Sequence, residues 1–316
     1  MLIRVVALFL LVILVLTGRL WAEFNPLDNV RAGAALLFDV KSRRILYARN
    51  IHTPLPPAST TKIMTALVAY EANGGLGGNV RIERADTQVV PTYIPLMAGE
   101  TVPFRTLLRC LLVSSSNDAA LAVARHVGGS VPVFVEMMNK RAREMGCSRT
   151  RFMNPHGLPA EGQLTTASDL LIIFQHALRY AELREMMSTV GFYVQTRAGR
   201  RYMKNHNILL GRYYGMGPAK TGWTRSSRHT YAASATREGR EIHLIILNSP
   251  DKWSDARELF DFGFFRTLGT SVPQLTSVYG GAVVEPVFGR KGSTTEMLAP
   301  NRPSIVQRQG ERAVIP

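Results

Sequence analysis

The chain has 316 residues, 46% of them hydrophobic, and a mean hydropathy of +0.01, which excludes a disordered protein and allows one large domain or two ordinary ones. Its formal net charge of +15 rests on 31 Arg against only 7 Lys. That balance reads as a solvated arginine-rich surface, or as attraction to an anionic polymer or membrane surface. No nucleic-acid partner is expected, because no basic stretch interleaves with aromatics and no zinc spacing appears.

The chain opens MLIRVVALFLLVILVLTGRLWAEF, with Arg4 as a short positive region, an unbroken apolar run over 5–16 and the small residue Ala22. This pattern predicts a secretory signal peptide over 1–22, cut after Ala22. The run is shorter than the roughly 20 apolar residues of a membrane span. Arg19 and Leu20 spoil the cleavage site, so an uncleaved anchor is the alternative. Either way the body is exported, to the periplasm or cell envelope. Cys110 and Cys147 would be free to pair there, but each lies in an apolar helical context, which favours buried thiols. No His/Cys spacing suggests a metal, and no cofactor is implied.

Two apolar runs at 34–38 and 45–48 flank a polar turn and predict a hairpin. A helix follows Pro56 and Pro57, with Ile63, Met64, Leu67 and Tyr70 at helical spacing and a glycine-rich stop over 73–79. The segment PFRTLLRCLLVSSSNDAALAVARHV reads as two helices interrupted at 114–117. Further amphipathic helices are expected over 133–145 and 167–180. Strand character is expected to return only after Met216, in AKTGW, HTYAASAT and EIHLIIL, the last two joined by a turn at 237–240. A closing helix over 254–262 precedes Phe264 and Phe265, and from Thr267 on no long helical period remains. The order strands, helices, strands, helix is satisfied by one sheet built from both chain ends around an inserted helical lobe.

Three short motifs fall at the helix start, the inter-helix loop and the first late strand. They are Ser59-Thr60-Thr61-Lys62, Ser115-Ser116-Asn117 and Lys220-Thr221-Gly222. Ser59 and Lys62, three apart on a helix, share a face, so hydroxyl and amine can meet. Alone, Ser59 would read as a helix cap and Ser-x-x-Lys would recur in about one such chain in two. The ordered set of three is far rarer. It matches the mechanics of serine enzymes that react with penicillin.

At these residues the chain resembles the low-molecular-mass penicillin-binding proteins, serine D-alanyl-D-alanine carboxypeptidases. The likeness extends through PASTTKIMTALVA, LLVSSSNDAALAVA, FMNPHGLP, LTTASDL, AKTGWT, SATREGR and LFDFGF. The resemblance implies an α+β fold of the β-lactamase/penicillin-binding transpeptidase type, an antiparallel sheet flanked by helices with an inserted all-helical subdomain. It implies a peptidase domain over 23–266 and a short C-terminal extension over 267–316. The implied substrates are peptidoglycan stem peptides ending in D-Ala-D-Ala, with β-lactam antibiotics as covalent inhibitors.

The resemblance also assigns roles. Ser59 is the nucleophile and Lys62 its base, which must be neutral to act although a free lysine has a pKa near 10.4. Burial, repulsion from Lys220 and the helix dipole would lower it. Ser115 relays a proton and Asn117 holds the substrate backbone. Lys220 and Thr221 bind the terminal carboxylate, Gly222 allows close approach, and the backbone N–H groups of Ser59 and Trp223 form an oxyanion hole. Ser116 and Asp118 read as loop-shaping residues and His156 as a structural histidine. Trp223 stands where many relatives have histidine, and Lys252 where many have arginine, which loses the bidentate fork. A D,D-endopeptidase is therefore the alternative reading, with a β-lactamase or a non-catalytic peptidoglycan-binding scaffold behind it. Glu136 is a poor match to a β-lactamase glutamate.

Overall fold

Strands from both ends of the chain make the main sheet. The computed structural model describes residues 27, 29–89 and 94–268; the expected signal peptide at 1–22 and the extension from 269 on lie outside the described residues. Strands β1 (Ala34–Asp39) and β2 (Arg44–Arg49) form the expected hairpin. A 3-10 turn at Ala58–Thr60 leads into helix α1 (Thr61–Ala72). Short strands β3 (Asn79–Arg81) and β4 (Thr101–Pro103) pair as a ribbon. Five helices follow: α2 (Phe104–Val113), α3 (Asn117–Gly128), α4 (Val131–Glu144), α5 (Ala167–Ala177) and α6 (Ala181–Ser188). A hairpin of β5 (Gly191–Thr196) and β6 (Gly199–Lys204) precedes β7 (Met216–Thr224), β8 (Arg228–Arg237), β9 (Arg240–Ser249) and helix α7 (Lys252–Leu268).

The main sheet has the order β2-β1-β9-β8-β7, all antiparallel, so β7 is an edge strand. Alternation along the strands splits the core in two. Leu36 of β1, Ala232 of β8 and Ile245 of β9 face the helical lobe, whereas Leu37, Ala233 and Leu244 face α7. Helix α1 runs through the middle of the lobe, and every residue from Thr61 to Ala69 is buried. A helix apolar on all sides belongs inside. One consequence is that Lys62, on its first turn, has no exposed surface.

Several expectations need correction. Strand character returns at Gly191, not after Met216: Phe192, Val194 and Thr196 alternate inward, and Gly199 makes the turn at φ +115°. Helix α6 and the β3–β4 ribbon were also not foreseen. The closing helix runs from Lys252 to Leu268, past the expected domain boundary at 266. Gly263 lets it pack closely, because a Cβ there would stand 2.8 Å from Leu37 and 3.0 Å from Ile242. The helix thus lies tight on the sheet and buries Phe264. Cys110 and Cys147 are both buried and unpaired.

Candidate active site

The polar cluster forms where the 3-10 turn before α1, the α2–α3 turn and edge strand β7 converge. Lys62 Nζ lies 3.1 Å from Ser59 Oγ, 2.7 Å from Asn117 Oδ1 and 2.5 Å from the His156 carbonyl oxygen. Burial holds the Lys62 amine well below the ordinary lysine range, and the charge on Lys220 lowers it further. A neutral amine has two N–H groups and one lone pair. The two fixed acceptors, Asn117 Oδ1 and the His156 carbonyl, take the N–H groups, and the lone pair is left for the Ser59 hydroxyl. The sequence indicated Lys62 and Asn117. It gave no sign of the His156 carbonyl, since a backbone acceptor has no residue-type signature.

The α2–α3 turn is cinched from within. Ser114 Oγ donates to the Cys110 carbonyl at 2.9 Å, Ser116 N–H donates to the same oxygen at 3.3 Å, and the Ser114 and Ser116 hydroxyls are 2.9 Å apart. Ser115 is thereby held at φ +63°, a left-handed conformation that costs a non-glycine residue about 1–3 kcal/mol. Its hydroxyl has no hydrogen-bond partner among the described residues. Asp118 Oδ1 accepts from the Ile94 N–H at 3.2 Å and the Ala119 N–H at 2.8 Å, the loop-shaping role expected. Burial pushes the Asp118 carboxyl up to about 7.

On β7, Gly222 is required by crowding. A Cβ there would stand 2.3 Å from Thr230 Oγ1, 2.7 Å from the Ser59 nitrogen and 3.0 Å from Ala58 Cβ. Its absence lets the turn that carries Ser59 rest directly on the strand, while Thr230 Oγ1 reaches across to donate to the Pro57 carbonyl at 2.9 Å. The expectation concerned a substrate backbone, whereas the tight neighbours of Gly222 here are the protein's own atoms at Thr230, Ser59 and Ala58. Thr230→Val should cost about 1 kcal/mol in urea unfolding; an unchanged midpoint would show that this bridge carries no load. The Ser59 N–H donates to no other described residue, as an oxyanion donor must not.

Lys220 is buried and donates to the Thr221 carbonyl at 2.9 Å. Burial and the neighbouring Lys252 charge bring its amine down to about 7. Lys252 Nζ in turn lies 2.9 Å from His229 Nδ1 and 4.3 Å from the Trp253 ring centroid. Trp223 leaves 61% of its surface exposed at the rim. His156 is structural: its Nδ1 accepts from the Leu158 N–H at 3.1 Å, and burial with the Lys62 charge lowers its imidazole to about 4. Glu136 is remote from this cluster, along the α4 surface groove with Lys140 and Arg143. Among the described residues no group of His, Cys, Asp or Glu could hold a metal, and no helix is long and apolar enough to cross a membrane.

Residues 22–251 match the family model described as D-alanyl-D-alanine carboxypeptidase, well over half of the chain. The chain belongs to that family. It is 32% identical to the carboxypeptidase DacF of Bacillus subtilis over 74% of this chain, and spans 62% of that relative's length. It is 25% identical to a D-alanyl-D-alanine endopeptidase of Escherichia coli, over 72% of this chain and 74% of the relative. A solved D-alanyl-D-alanine carboxypeptidase of Mycobacterium tuberculosis superposes with a TM-score of 0.72 at 31% identity, covering 80% of this chain and 96% of that one. The family's α+β fold, a sheet from both chain ends with an inserted helical lobe, is therefore the fold of this chain.

Proposed function

We propose that the protein is a serine D-alanyl-D-alanine carboxypeptidase that trims the terminal D-alanine from peptidoglycan stem peptides. The observation that carries this reading is the buried amine of Lys62, held 2.7 Å from Asn117 Oδ1, 2.5 Å from the His156 carbonyl oxygen and 3.1 Å from Ser59 Oγ, so that its neutral form can turn a lone pair toward that hydroxyl. Ser59 Oγ attacks the penultimate D-alanyl carbonyl as its proton passes to Lys62. The oxyanion is held by the N–H groups of Ser59 and Trp223. Lys62 returns the proton through Ser115 to the departing D-alanine nitrogen, leaving an ester on Ser59. Water, deprotonated by Lys62, then hydrolyses the ester and frees Ser59. Asn117 positions the substrate backbone, and Lys220 with Thr221 receives the terminal carboxylate. The substrate places the enzyme in the cell envelope, reached by way of the signal peptide over 1–22. β-Lactams acylate the same serine. Incubation with a pentapeptide tests the reading by release of free D-alanine.

A second reading has its own observation. Lys252 keeps a cation near the carboxylate site without a guanidinium fork, its amine already engaged by His229. A weaker clamp suits an endopeptidase, whose leaving group continues beyond the D-alanyl bond. Cleavage of a cross-linked dimer faster than release of D-alanine from the pentapeptide would select it.

The two lysines set opposite limbs of the pH profile. Lys62 works unprotonated, so kcat/KM rises as pH climbs through its depressed pKa. Lys220 works protonated, so kcat/KM falls as pH passes about 7. Lys252→Met removes the charge that repels the Lys220 proton, so the falling limb should move to higher pH. An unmoved limb in a pH series would remove Lys220 as its source.

A further inference from the structure

The β5–β6 hairpin turns Val194 and Met203 into the core and leaves its other face exposed. On that face Tyr193 stands opposite Tyr202, with ring centroids 5.1 Å apart and with 61% and 48% of their surfaces exposed. A Cβ at Gly191 would stand 2.3 Å from Tyr202 Oη, so the missing side chain lets that ring lie down on the neighbouring strand as a platform. Arg200 stacks on Tyr193, its guanidinium carbon 4.0 Å from the ring centroid, which fixes the group and leaves its N–H fork free. Lys204 closes the other end of the row, about 13 Å from Arg200 along β6. The segment from Gly191 to Lys204 also carries Arg197 and Arg201 and contains no acidic residue. None of its cations has an ion-pair partner among the described residues.

This row continues the cleft. Strand β6 runs on into Asn205, His206 and Asn207. Asn207 Oδ1 accepts from the Tyr231 hydroxyl at 2.9 Å, and Tyr231 is the cross-strand partner of Thr221. Burial and the charges of Lys220, Lys62 and Lys252 lower the His206 imidazole to about 4, which places that ring beside the three lysines of the cleft. We infer that the outer face of the β5–β6 hairpin binds a polysaccharide strand bearing carboxylates, with a sugar ring resting on Tyr202 and a carboxylate taken by the Arg200 fork. The C–H groups on one face of a pyranose ring meet an aromatic face favourably, and the row is longer than one such ring, so it suits a polymer better than a free sugar. The identity of the strand rests on the carboxypeptidase reading. Continuity with the cleft makes it the glycan backbone of the polymer whose stem peptide is cut.

The test is co-sedimentation of the full chain with insoluble peptidoglycan stripped of its stem peptides by an amidase, which leaves a carboxylate on alternate sugars. Tyr202→Leu still covers Gly191 but offers no ring face, whereas Tyr202→Phe keeps one. Tyr202→Leu and Arg200→Gln should each weaken binding at least about fivefold, as loss of a central Tyr or Arg contact does. Tyr202→Phe should bind like the parent. Chitin, an uncharged polymer of related sugars, should bind the parent less well than the stripped strand, and Arg200→Gln should erase that difference. All three variants should release D-alanine from a free pentapeptide, and take fluorescent penicillin, at the parent rate. A parent that does not sediment, or sedimentation unchanged in Tyr202→Leu and Arg200→Gln, overturns the docking surface. So does a parallel loss of pentapeptide turnover, which would place the effect in the cleft. A loss confined to phosphatidylglycerol vesicles would assign the face to a membrane and overturn it as well. Hairpin-dependent sedimentation by a chain that neither releases D-alanine nor takes penicillin would end the carboxypeptidase reading and leave the glycan surface standing.

Discussion

Ser59→Ala should abolish labelling by a fluorescent penicillin, and Lys62→Arg should slow it by about a thousandfold. The arginine variant is the more informative. Guanidinium keeps a cation at the site and can still donate to Asn117 Oδ1 and the His156 carbonyl, the two acceptors at 2.7 and 2.5 Å. It cannot give up a proton at any working pH. If Lys62 served only as a positive charge beside the nucleophile, arginine would largely replace it. If Lys62 is the base, labelling fails although the charge remains. Burial argues for the base, because a fully enclosed amine with Lys220 as neighbour is driven toward the neutral form. Labelling of a cooperatively folded Lys62→Arg protein at near the parent rate would end the general-base assignment. The alanine variant makes a different cut: residual labelling there would place the acylated hydroxyl elsewhere.

Ser59, Lys62 and Lys220-Thr221-Gly222 could be singled out as a candidate cluster from the sequence because each is a side-chain type at fixed spacing in a recognisable local setting. Ser59 and Lys62 lie one helical turn apart, and Lys220-Thr221-Gly222 sits on a strand. What closes the site is long-range, and local pattern does not encode it. The His156 carbonyl comes from 94 residues away, and the Lys252–His229 contact joins a helix start to a strand start 23 residues earlier. The sheet was legible for the same reason as the motifs: β8 and β9 are ten-residue strands, each with six consecutive buried residues in its middle, Thr230 to Ala235 and Ile242 to Leu247. The β5–β6 hairpin was not, since half of its residues face solvent and its second strand opens with Gly199, Arg200 and Arg201. There the alternation of Phe192, Val194 and Thr196 was the available signal, and the run of arginines masked it. Gly222 shows a finer gap between the two views. The need for glycine was visible, but only packing reveals that Ser59 and Thr230 impose it.

Gly157→Ala should be the most damaging change away from the reacting groups. Gly157 has φ +86°, and a Cβ would stand 2.0 Å from the Ala58 carbonyl oxygen and 3.0 Å from the Ser59 nitrogen. The loop cannot simply yield. Gly157 N–H donates to Asn154 Oδ1 at 2.7 Å, and Asn154 Nδ2 donates to the Leu158 carbonyl at 3.0 Å. Ala58 is itself at φ +47°, so its peptide has little freedom to rotate away. Left-handed strain in alanine costs about 1–2 kcal/mol, and relieving the clash adds to it, for a total on the order of 3 kcal/mol in chemical unfolding. The clash also moves the Ser59 backbone and the neighbouring His156 carbonyl that orients Lys62. A displacement near 1 Å can slow an oriented reaction by about a hundredfold. Gly129→Ala separates the two effects. That residue caps α3 at φ +72° with nothing within 4 Å of a Cβ, so it carries the strain without the collision. It should lose about 1 kcal/mol and label at the parent rate. A folded Gly157→Ala protein that is acylated as fast as Gly129→Ala would mean that the 154–158 loop does not fix the geometry of the nucleophile.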